Sequence, residues 1–145
     1  MEKYYTPEIE EFHVGFEYEI LEMGSKTKYH PATLNDCDDL TGDYDGLTLL
    51  YEIASKRHLV RVKHLDREDI ESLGFVFKKE TESSYVKDNI TMHVYDAKRW
   101  NTENDTITIF KKDLDRAVGK TIVFAGVVKN KSELKRILKQ LNIIE

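Results

Sequence analysis

Several residue types that mark particular protein classes are scarce in this chain. Cys37 is its only cysteine, so we expect no intrachain disulfide and no cysteine cluster that could hold structural zinc. The 7 glycines and 2 prolines are too few for a collagen-like or low-complexity protein. Charges interrupt every apolar run before it reaches the roughly 18 residues of a membrane-spanning helix. The first residues also lack the basic-then-apolar order of a secretory signal, so we expect a cytoplasmic protein without membrane contacts.

The composition is that of a folded domain. The chain has 145 residues, of which 40% are hydrophobic and 34% are charged, and its formal net charge is -5. Such a balance excludes a wholly disordered chain, and the length suits one domain with a real core. We therefore expect a single domain over residues 1–145.

Charge is distributed unevenly along the chain. Residues 1–55 contain 13 acidic residues and 3 lysines, a net charge of -10, and residues 56–145 must then carry +5 to give the total of -5. The two halves can neutralise each other in the fold, or the basic part can form a face that meets an anionic ligand. The sequence leaves both interpretations open.

Alternating hydrophobicity predicts most of the strands. Residues 13–21 and 58–65 alternate with a period of two, which is typical of strands with one buried face; the inward residues are Val14, Phe16, Tyr18, Ile20, Val60 and Val62. Four later segments, FVFKKE, NITMHVYDA, TITIFKK and TIVFAGVVK, indicate further strands in an antiparallel meander. Their outward Ile, Val and Phe residues suit either an internal core or the interface of a homo-oligomer.

Helical signals are strongest at the C-terminus. Asn130 and Glu133 form a capping-box pattern ahead of an apolar stripe of Leu134, Ile137, Leu138 and Leu141. Weaker patterns predict a turn at residues 6–12 with Thr6 as N-cap, a helix over about 47–56, and a short helix between Asp66 and Gly74. We therefore predict an α+β fold, with a single antiparallel meander-like sheet, a C-terminal helix packed on one face, and an acidic loop insertion at about 24–46.

The acidic loop resembles a calcium-binding loop without matching it fully. Thr41, Asp43, Asp45, Gly46 and Glu52 fall at positions one, three, five, six and twelve of that pattern. Threonine replaces the first aspartate, so Asp-rich turns and a helix cap explain the segment better than a calcium site does. We assign no metal ligand here.

A second polar group lies on the first predicted strand. His13, Glu17 and Glu19 have the spacing of one outward strand face, and His93 or Tyr95 from a neighbouring strand could complete a metal or acid-base site. A solvated strand face has the same pattern. We therefore assign no catalytic residue and no cofactor.

The basic residues give the best binding candidates. Arg61 and Lys63 fall on the same side of their predicted strand, where they would face phosphates. Arg99 adds a third cation beside Trp100, and Trp100 or Tyr95 offers a ring on which a nucleobase could stack. An ordinary charged strand edge is the alternative explanation, although it accounts poorly for Trp100.

Three blocks of the sequence resemble a group of phage proteins. YYTPEIEEFHVGFEYE, RVKHLDREDIESLGF and KNKSELKRILKQL, in this order, are similar to small uncharacterised proteins of Bacteroidetes bacteriophages and prophages. The resemblance spans most of the chain and implies an intracellular phage accessory protein. Such products often block a host defence or a host enzyme, but the group supplies no catalytic residue.

These observations predict a binding protein that inhibits host defence. One version sequesters a phosphate-bearing signalling nucleotide, such as a cyclic di- or oligonucleotide, and another binds a host defence protein through the acidic segment. The rival hypotheses are a metal-dependent hydrolase or nuclease that uses His13, Glu17 and Glu19, and a virion or assembly protein. We expect no binding to duplex DNA, because the net charge of -5 opposes its phosphate backbone.

Overall fold

A computed structural model describes residues 3–22, 24–34, 59–81, 83–96, 105–112 and 119–145. The chain divides into two compact units, which we call the N-terminal unit, Met1–His64, and the C-terminal unit, Leu65–Glu145. Each unit contains one antiparallel sheet. The fold is therefore α+β, as expected, but the prediction of a single sheet is wrong.

The N-terminal unit contains a four-stranded sheet. Its strands have the spatial order β1-β4-β2-β3 and pair antiparallel throughout; they are β1 Tyr4–Tyr5, β2 Glu17–Leu21, β3 Tyr29–Thr33 and β4 Val60–Lys63. A 3-10 turn, Ile9–Glu11, lies between β1 and β2. Glu8, not Thr6, is the N-cap of this turn.

The predicted first strand is shorter than its alternation suggested. Gly15 has φ +83, a left-handed conformation that glycine adopts without a steric penalty, so the chain turns there and β2 begins only at Glu17. Val14 is consequently 63% exposed, whereas Phe16 is buried as expected. Val60 and Val62 of β4 are also buried, which confirms the inward side of that strand.

The C-terminal unit contains a five-stranded sheet and two helices among the described residues. Helix α1, Arg67–Ser72, comes first, and helix α2, Lys131–Gln140, comes last. Between them the strands follow each other as a meander: β5 Val76–Lys78, β6 Ser84–Lys87, β7 Ile90–Tyr95, β8 Thr106–Lys112 and β9 Lys120–Val127. A further 3-10 turn, Lys79–Thr81, joins β5 to β6.

Two sheets form because the chain leaves the first ladder after β4. Asp66 caps α1 directly after that strand: its carboxylate accepts the Asp69 N–H at 3.0 Å, and the Asp69 carboxylate accepts the Asp66 N–H at 3.3 Å. Gly74, with φ +89, ends the helical segment, as its sequence position predicted. The next strand then pairs with β6 and not with β4.

The core of the C-terminal unit lies between one sheet face and the helices. Met92, Ile107 and Ile109 on β7 and β8 are fully buried, and so are Leu134 and Leu138 of α2. All five residues belong to one apolar cluster. The prediction that the C-terminal helix covers one sheet face is thus confirmed, and neither described helix is long and apolar enough to span a bilayer.

Some predicted elements differ from the structure or lie beyond its described part. β3 falls within the segment predicted as an acidic loop, and β6 falls between two of the predicted strands. The predicted helix over 47–56 and most of the acidic loop, residues 35–46, lie outside the described residues.

Candidate functional site

The central feature of the N-terminal unit is an arginine held between two aromatic rings. Arg61 lies on β4, where the buried Val60 and Val62 turn toward the core and leave Arg61 and Lys63 on the opposite face. The Arg61 guanidinium carbon lies 3.8 Å from the centroid of the Tyr4 ring and 3.7 Å from that of Tyr29. We call Tyr4, Arg61 and Tyr29 the arginine stack.

The strand order brings the members of the arginine stack together. Tyr4 is on β1, next to β4, and Tyr29 is on β3, at the other side of the sheet. β2 lies between β4 and β3, and its Glu19 pairs with Arg61 in the backbone register. The long arginine side chain therefore extends over β2 to the ring of Tyr29.

Glu19 orients the guanidinium in its own plane. Arg61 Nε donates to Glu19 Oε2 at 2.6 Å, and both side chains are about one-third exposed. Within the described part of the chain, Arg61 makes this one hydrogen bond, through Nε. The N–H groups of its two terminal nitrogens therefore stay available as donors. The two rings cover the faces of the guanidinium, which leaves only its edge for a further partner.

Two lysines add positive charge near the arginine stack. Lys63 lies opposite Tyr4 in the β1–β4 register, on the same face of β4 as Arg61. Lys3 Nζ lies 5.7 Å from the centroid of the Tyr4 ring. The structure thus gathers three cations around one tyrosine, and Lys3 was not foreseen from the sequence.

Of the other candidates, the structure describes only Tyr95. Tyr95 is the last residue of β7 in the C-terminal unit, where it is 37% exposed and its ring stacks beside that of His93 with centroids 6.3 Å apart. Arg99 and Trp100 lie outside the described residues. Of the five predicted ligand-binding residues, the structure therefore places Arg61 and Lys63 together on one face.

His93 has a defined environment on the outer face of the five-stranded sheet. Its Nδ1 lies 2.9 Å from the hydroxyl oxygen of Ser84, which is itself buried, and its ring meets Phe110 edge-on at 5.3 Å. Burial lowers the pKa of His93, and the charge of Lys120 lowers it further. Both effects favour the neutral form of the imidazole.

The predicted metal or acid-base group is not assembled. β2 begins at Glu17, so His13 lies in the preceding turn, where its Nδ1 is 2.9 Å from the Val14 carbonyl oxygen. The prediction that His13 shares a strand face with Glu17 and Glu19 is therefore wrong. Glu19 is occupied by Arg61, and His93 belongs to the other sheet. Across the described ranges, no three His, Cys, Asp or Glu side chains converge as metal ligands would.

The remaining sequence candidates fall in undescribed parts of the chain. The calcium-like positions Thr41, Asp43, Asp45, Gly46 and Glu52 lie outside the described residues, and so does Cys37. They stay predictions from the sequence.

Comparisons with known proteins add no relative. Neither the protein-family models, nor the curated proteins, nor the solved structures contain a match to this chain. Function must therefore be inferred from the site itself.

Proposed function

We propose that this protein is a phage accessory protein that inhibits a host defence by binding a phosphate-bearing signalling nucleotide, without turning it over. The phage context comes from the resemblance of three sequence blocks. The binding role is supported by one observation above the others, the arginine stack, because it fixes a guanidinium with its terminal nitrogens at an open edge.

The geometry of the arginine stack suits a phosphate. A guanidinium presents its N–H donors in a planar fork, and it binds phosphate oxygens best in that plane, through two parallel hydrogen bonds. Tyr4 and Tyr29 hold the plane of Arg61, so little side-chain freedom is lost when a ligand arrives. An arginine on an open surface would lack this advantage.

A second cation lies within reach of a second phosphate. Lys63 is two residues from Arg61 along β4, which corresponds to a backbone separation of about 7 Å on the same face. A cyclic di- or oligonucleotide carries several phosphates and could engage both side chains. Arg99 as a further phosphate contact and Trp100 or Tyr95 as a base-stacking ring stay predictions from the sequence.

Glu19 weakens the positive field of Arg61 and offers a sharp test. Replacement Glu19→Gln removes the negative charge and keeps an oxygen that can accept from Arg61 Nε. If Arg61 binds phosphate, the variant should bind the nucleotide more tightly. If the Glu19–Arg61 pair only stabilises the fold, the variant should bind the nucleotide no more tightly than the wild type does.

The first experiment is native mass spectrometry of the full chain with a panel of linear and cyclic nucleotides. We expect a complex of fixed stoichiometry with one nucleotide class. Heat denaturation should then release the ligand with its mass unchanged. A protein that ignores the whole panel would refute the nucleotide proposal.

Substitutions in the arginine stack distinguish fork-like recognition from simple charge. Arg61→Lys keeps the charge but loses the bidentate fork, and we expect a loss of about tenfold or more in nucleotide affinity. Tyr29→Phe keeps a ring against the guanidinium and should bind almost normally. Lys26→Ala, at an exposed cation of the same unit, is the matched control and should have no effect.

Trp100 gives an independent optical readout. It is the single tryptophan of the chain, so its fluorescence reports one position. Base stacking should quench this fluorescence in the wild type, and Trp100→Leu should reduce affinity. Binding without any change in emission would remove Trp100 from the proposed site.

The other hypotheses predict different outcomes. Binding of a host protein through the acidic segment should survive Arg61→Lys and fail when Asp36, Asp38, Asp39, Asp43 and Asp45 are neutralised together. An enzyme should consume the nucleotide with time in the presence of a divalent metal, and His13→Ala should stop it. A virion or assembly protein should form large oligomers without ligand.

A further inference from the structure

The outer face of the five-stranded sheet, opposite the helices, carries aromatic rings on its central strands. Met92 of β7 and Ile109 of β8 are fully buried on the helix side. Their neighbours His93 and Phe110 therefore point to the outer face, where both are partly exposed. The two rings are perpendicular, with centroids 5.3 Å apart. A planar group can thus stack on one ring and meet the other edge-on, and both arrangements are favourable for aromatic groups.

Ser84 fixes the orientation of the His93 ring. The two residues are opposite each other in the β6–β7 register, and the hydroxyl oxygen of Ser84 lies 2.9 Å from His93 Nδ1. Ser84 is only 2% exposed, so water competes little for this contact. Because the ring is held before a ligand arrives, little side-chain freedom is lost on binding.

The five strands of this sheet are basic, although the chain as a whole has a net charge of -5. They contain five lysines and no acidic residue. The lysines are Lys78, Lys87, Lys111, Lys112 and Lys120. This local excess of positive charge favours an anionic ligand over a cationic or neutral one.

Three of these lysines belong to the outer face. Lys78 of β5 lies in the same row of the register as His93. Lys112 lies two residues beyond Phe110 on β8, and it pairs with Lys120 of β9. All three lysines are exposed, and across the described ranges none of them forms an ion pair. Lys120 is also near enough to His93 for its charge to lower the pKa of the imidazole.

The two ends of the outer face differ in charge. Asp96 follows Tyr95 at the end of β7, and Asp105 precedes β8 at the same end of the sheet. The lysine pair of β8 and β9 lies at the opposite end, past Phe110. Negative groups of a ligand are therefore expected at the lysine end, over Phe110 and His93, and not beside Tyr95.

We propose that the outer face of the five-stranded sheet binds single-stranded nucleic acid. The bases stack on Phe110 and His93, and the phosphates contact Lys78, Lys112 and Lys120. Every base has a planar face that can stack on an aromatic side chain, so such a site binds with little sequence preference. The site lies on a different unit from the arginine stack and does not rest on the nucleotide proposal.

A single strand fits this face better than other anionic partners. An acidic protein segment would pair with the lysines but would bring no planar groups for the two rings. A duplex keeps the faces of its bases inside its own stack, where side chains cannot reach them. A single strand offers phosphates and open base faces together. This agrees with the expectation that the chain does not bind duplex DNA.

Binding to oligonucleotides is the primary test. Fluorescence anisotropy of the full chain with labelled RNA and DNA strands of about 12 nucleotides and mixed sequence should show saturable binding to one or both. Comparison of the two strands identifies the preferred backbone. A duplex and an abasic strand of the same length should bind at least about tenfold more weakly. No binding to either single strand, or equal binding to the duplex or the abasic strand, would overturn the proposal.

Phe110 tests the stacking contact. Phe110→Leu removes the ring and keeps an apolar side chain, and we expect a loss of about tenfold in affinity. Phe110→Tyr keeps a ring and should bind nearly as the wild type does. Val127→Ala, at an exposed apolar residue on the acidic end of the sheet, is the matched control. Wild-type affinity in Phe110→Leu, or an equal loss in either of the other two variants, would contradict the assigned site.

Lys120 tests the phosphate contact. Each phosphate that a lysine neutralises on a single strand makes the logarithm of the affinity fall more steeply with the logarithm of the salt concentration, by about 0.7 in the slope. Lys120→Gln should therefore reduce the slope by about 0.7. Lys26→Gln, at an exposed lysine of the N-terminal unit, should leave the slope unchanged. A wild-type slope in Lys120→Gln would contradict the proposed path of the phosphates.

Ultraviolet cross-linking locates the site without any substitution. Irradiation joins bases to the side chains that they contact, and mass spectrometry of the digested complex identifies the modified peptides. We expect cross-linked peptides from β7 and β8, which contain His93 and Phe110. Cross-links confined to other parts of the chain would overturn the proposal.

Discussion

The two sheets bury one face each, but different residues cover them. In the C-terminal unit, an amphipathic helix covers the sheet, and Leu134 and Leu138 are completely buried against β7 and β8. In the N-terminal unit, aromatic residues of the segment before β2 pack on the sheet: Phe12 lies 4.7 Å from Phe16 and 5.8 Å from Tyr18 between ring centroids. The other face of that sheet carries the arginine stack.

The helix-covered face of the C-terminal sheet thus mainly forms a hydrophobic core, whereas the N-terminal sheet also carries a candidate site. The helix-covered core is built from aliphatic residues whose stabilisation comes from apolar burial. The N-terminal sheet depends more on contacts between specific polar and aromatic groups. Arg61 and Lys63 lie there, and a fixed guanidinium such as that of Arg61 requires such contacts.

The largest effect is expected in the helix-covered core. Leu134→Ala removes a fully buried side chain, and we expect the free energy of unfolding to fall by about 2–5 kcal/mol. Urea denaturation followed by circular dichroism measures this change. Arg136→Ala, at an exposed position of the same helix, should change it by less than about 0.5 kcal/mol. Similar losses in both variants would contradict the assigned helix face.

A smaller effect is expected for the arginine stack. Arg61→Ala removes two ring contacts and a partly exposed ion pair, and we expect a loss of about 1–2 kcal/mol in the free energy of unfolding. The same denaturation experiment applies. Glu19→Gln should cost less, because the two rings continue to hold the guanidinium. A loss in Glu19→Gln as large as that in Arg61→Ala would assign the stability to the ion pair and not to the rings.

The cap of α2 should contribute slightly less than the stack. Asn130 is buried, and its Oδ1 accepts the Glu133 N–H at 2.9 Å. Asn130→Ala leaves that donor without its partner and should lower the free energy of unfolding by about 1 kcal/mol. Asn130→Asp retains an acceptor at the same place and should recover most of the loss. If Asn130→Asp recovers no stability, the side-chain amide nitrogen of Asn130 contributes more to the free energy of unfolding than the cap does.

The pH dependence should be the smallest effect and should come from the C-terminal unit. Because burial lowers the pKa of His93 in the folded protein, the unfolded chain binds a proton more readily once the pH falls below 6.5, the ordinary pKa of a histidine side chain. The contribution of His93 to the free energy of unfolding is therefore fully present above pH 6.5. It is lost as the pH falls from 6.5 through the lowered pKa of the folded protein.

Thermal unfolding across this pH range tests the assignment. His93→Gln removes the titrating group and should flatten this part of the pH dependence. Ser84→Ala keeps the imidazole and should retain the dependence. An unchanged slope in His93→Gln would show that another group causes it.

The sequence was most informative where contacts are local. The caps of both helices, the stripe of α2, the buried valines of β4 and the strands β7 to β9 follow from patterns within a few residues. β3 and β6 escaped prediction because YHPAT and SYVK are short and lack clear alternation. The division into two sheets escaped it as well, since strand pairing depends on contacts between distant residues.

The candidate site shows the same limit. The sequence singled out Arg61 and Lys63 by their charge and spacing, but Tyr4, Glu19 and Tyr29 are separated from Arg61 by 57, 42 and 32 positions. Two adjacent tyrosines near the N-terminus were the only available signal, and nothing local linked them to β4.

By itself, the sequence determined the α+β class, the helix-covered face and which side of β4 carries positive charge, because periodicity and capping act over a few residues. The tertiary structure decided that there are two sheets, that a turn at Gly15 removes His13 from β2, and that two tyrosines enclose Arg61. These features depend on strand order and register, and those are set by the packing of residues far apart in the chain.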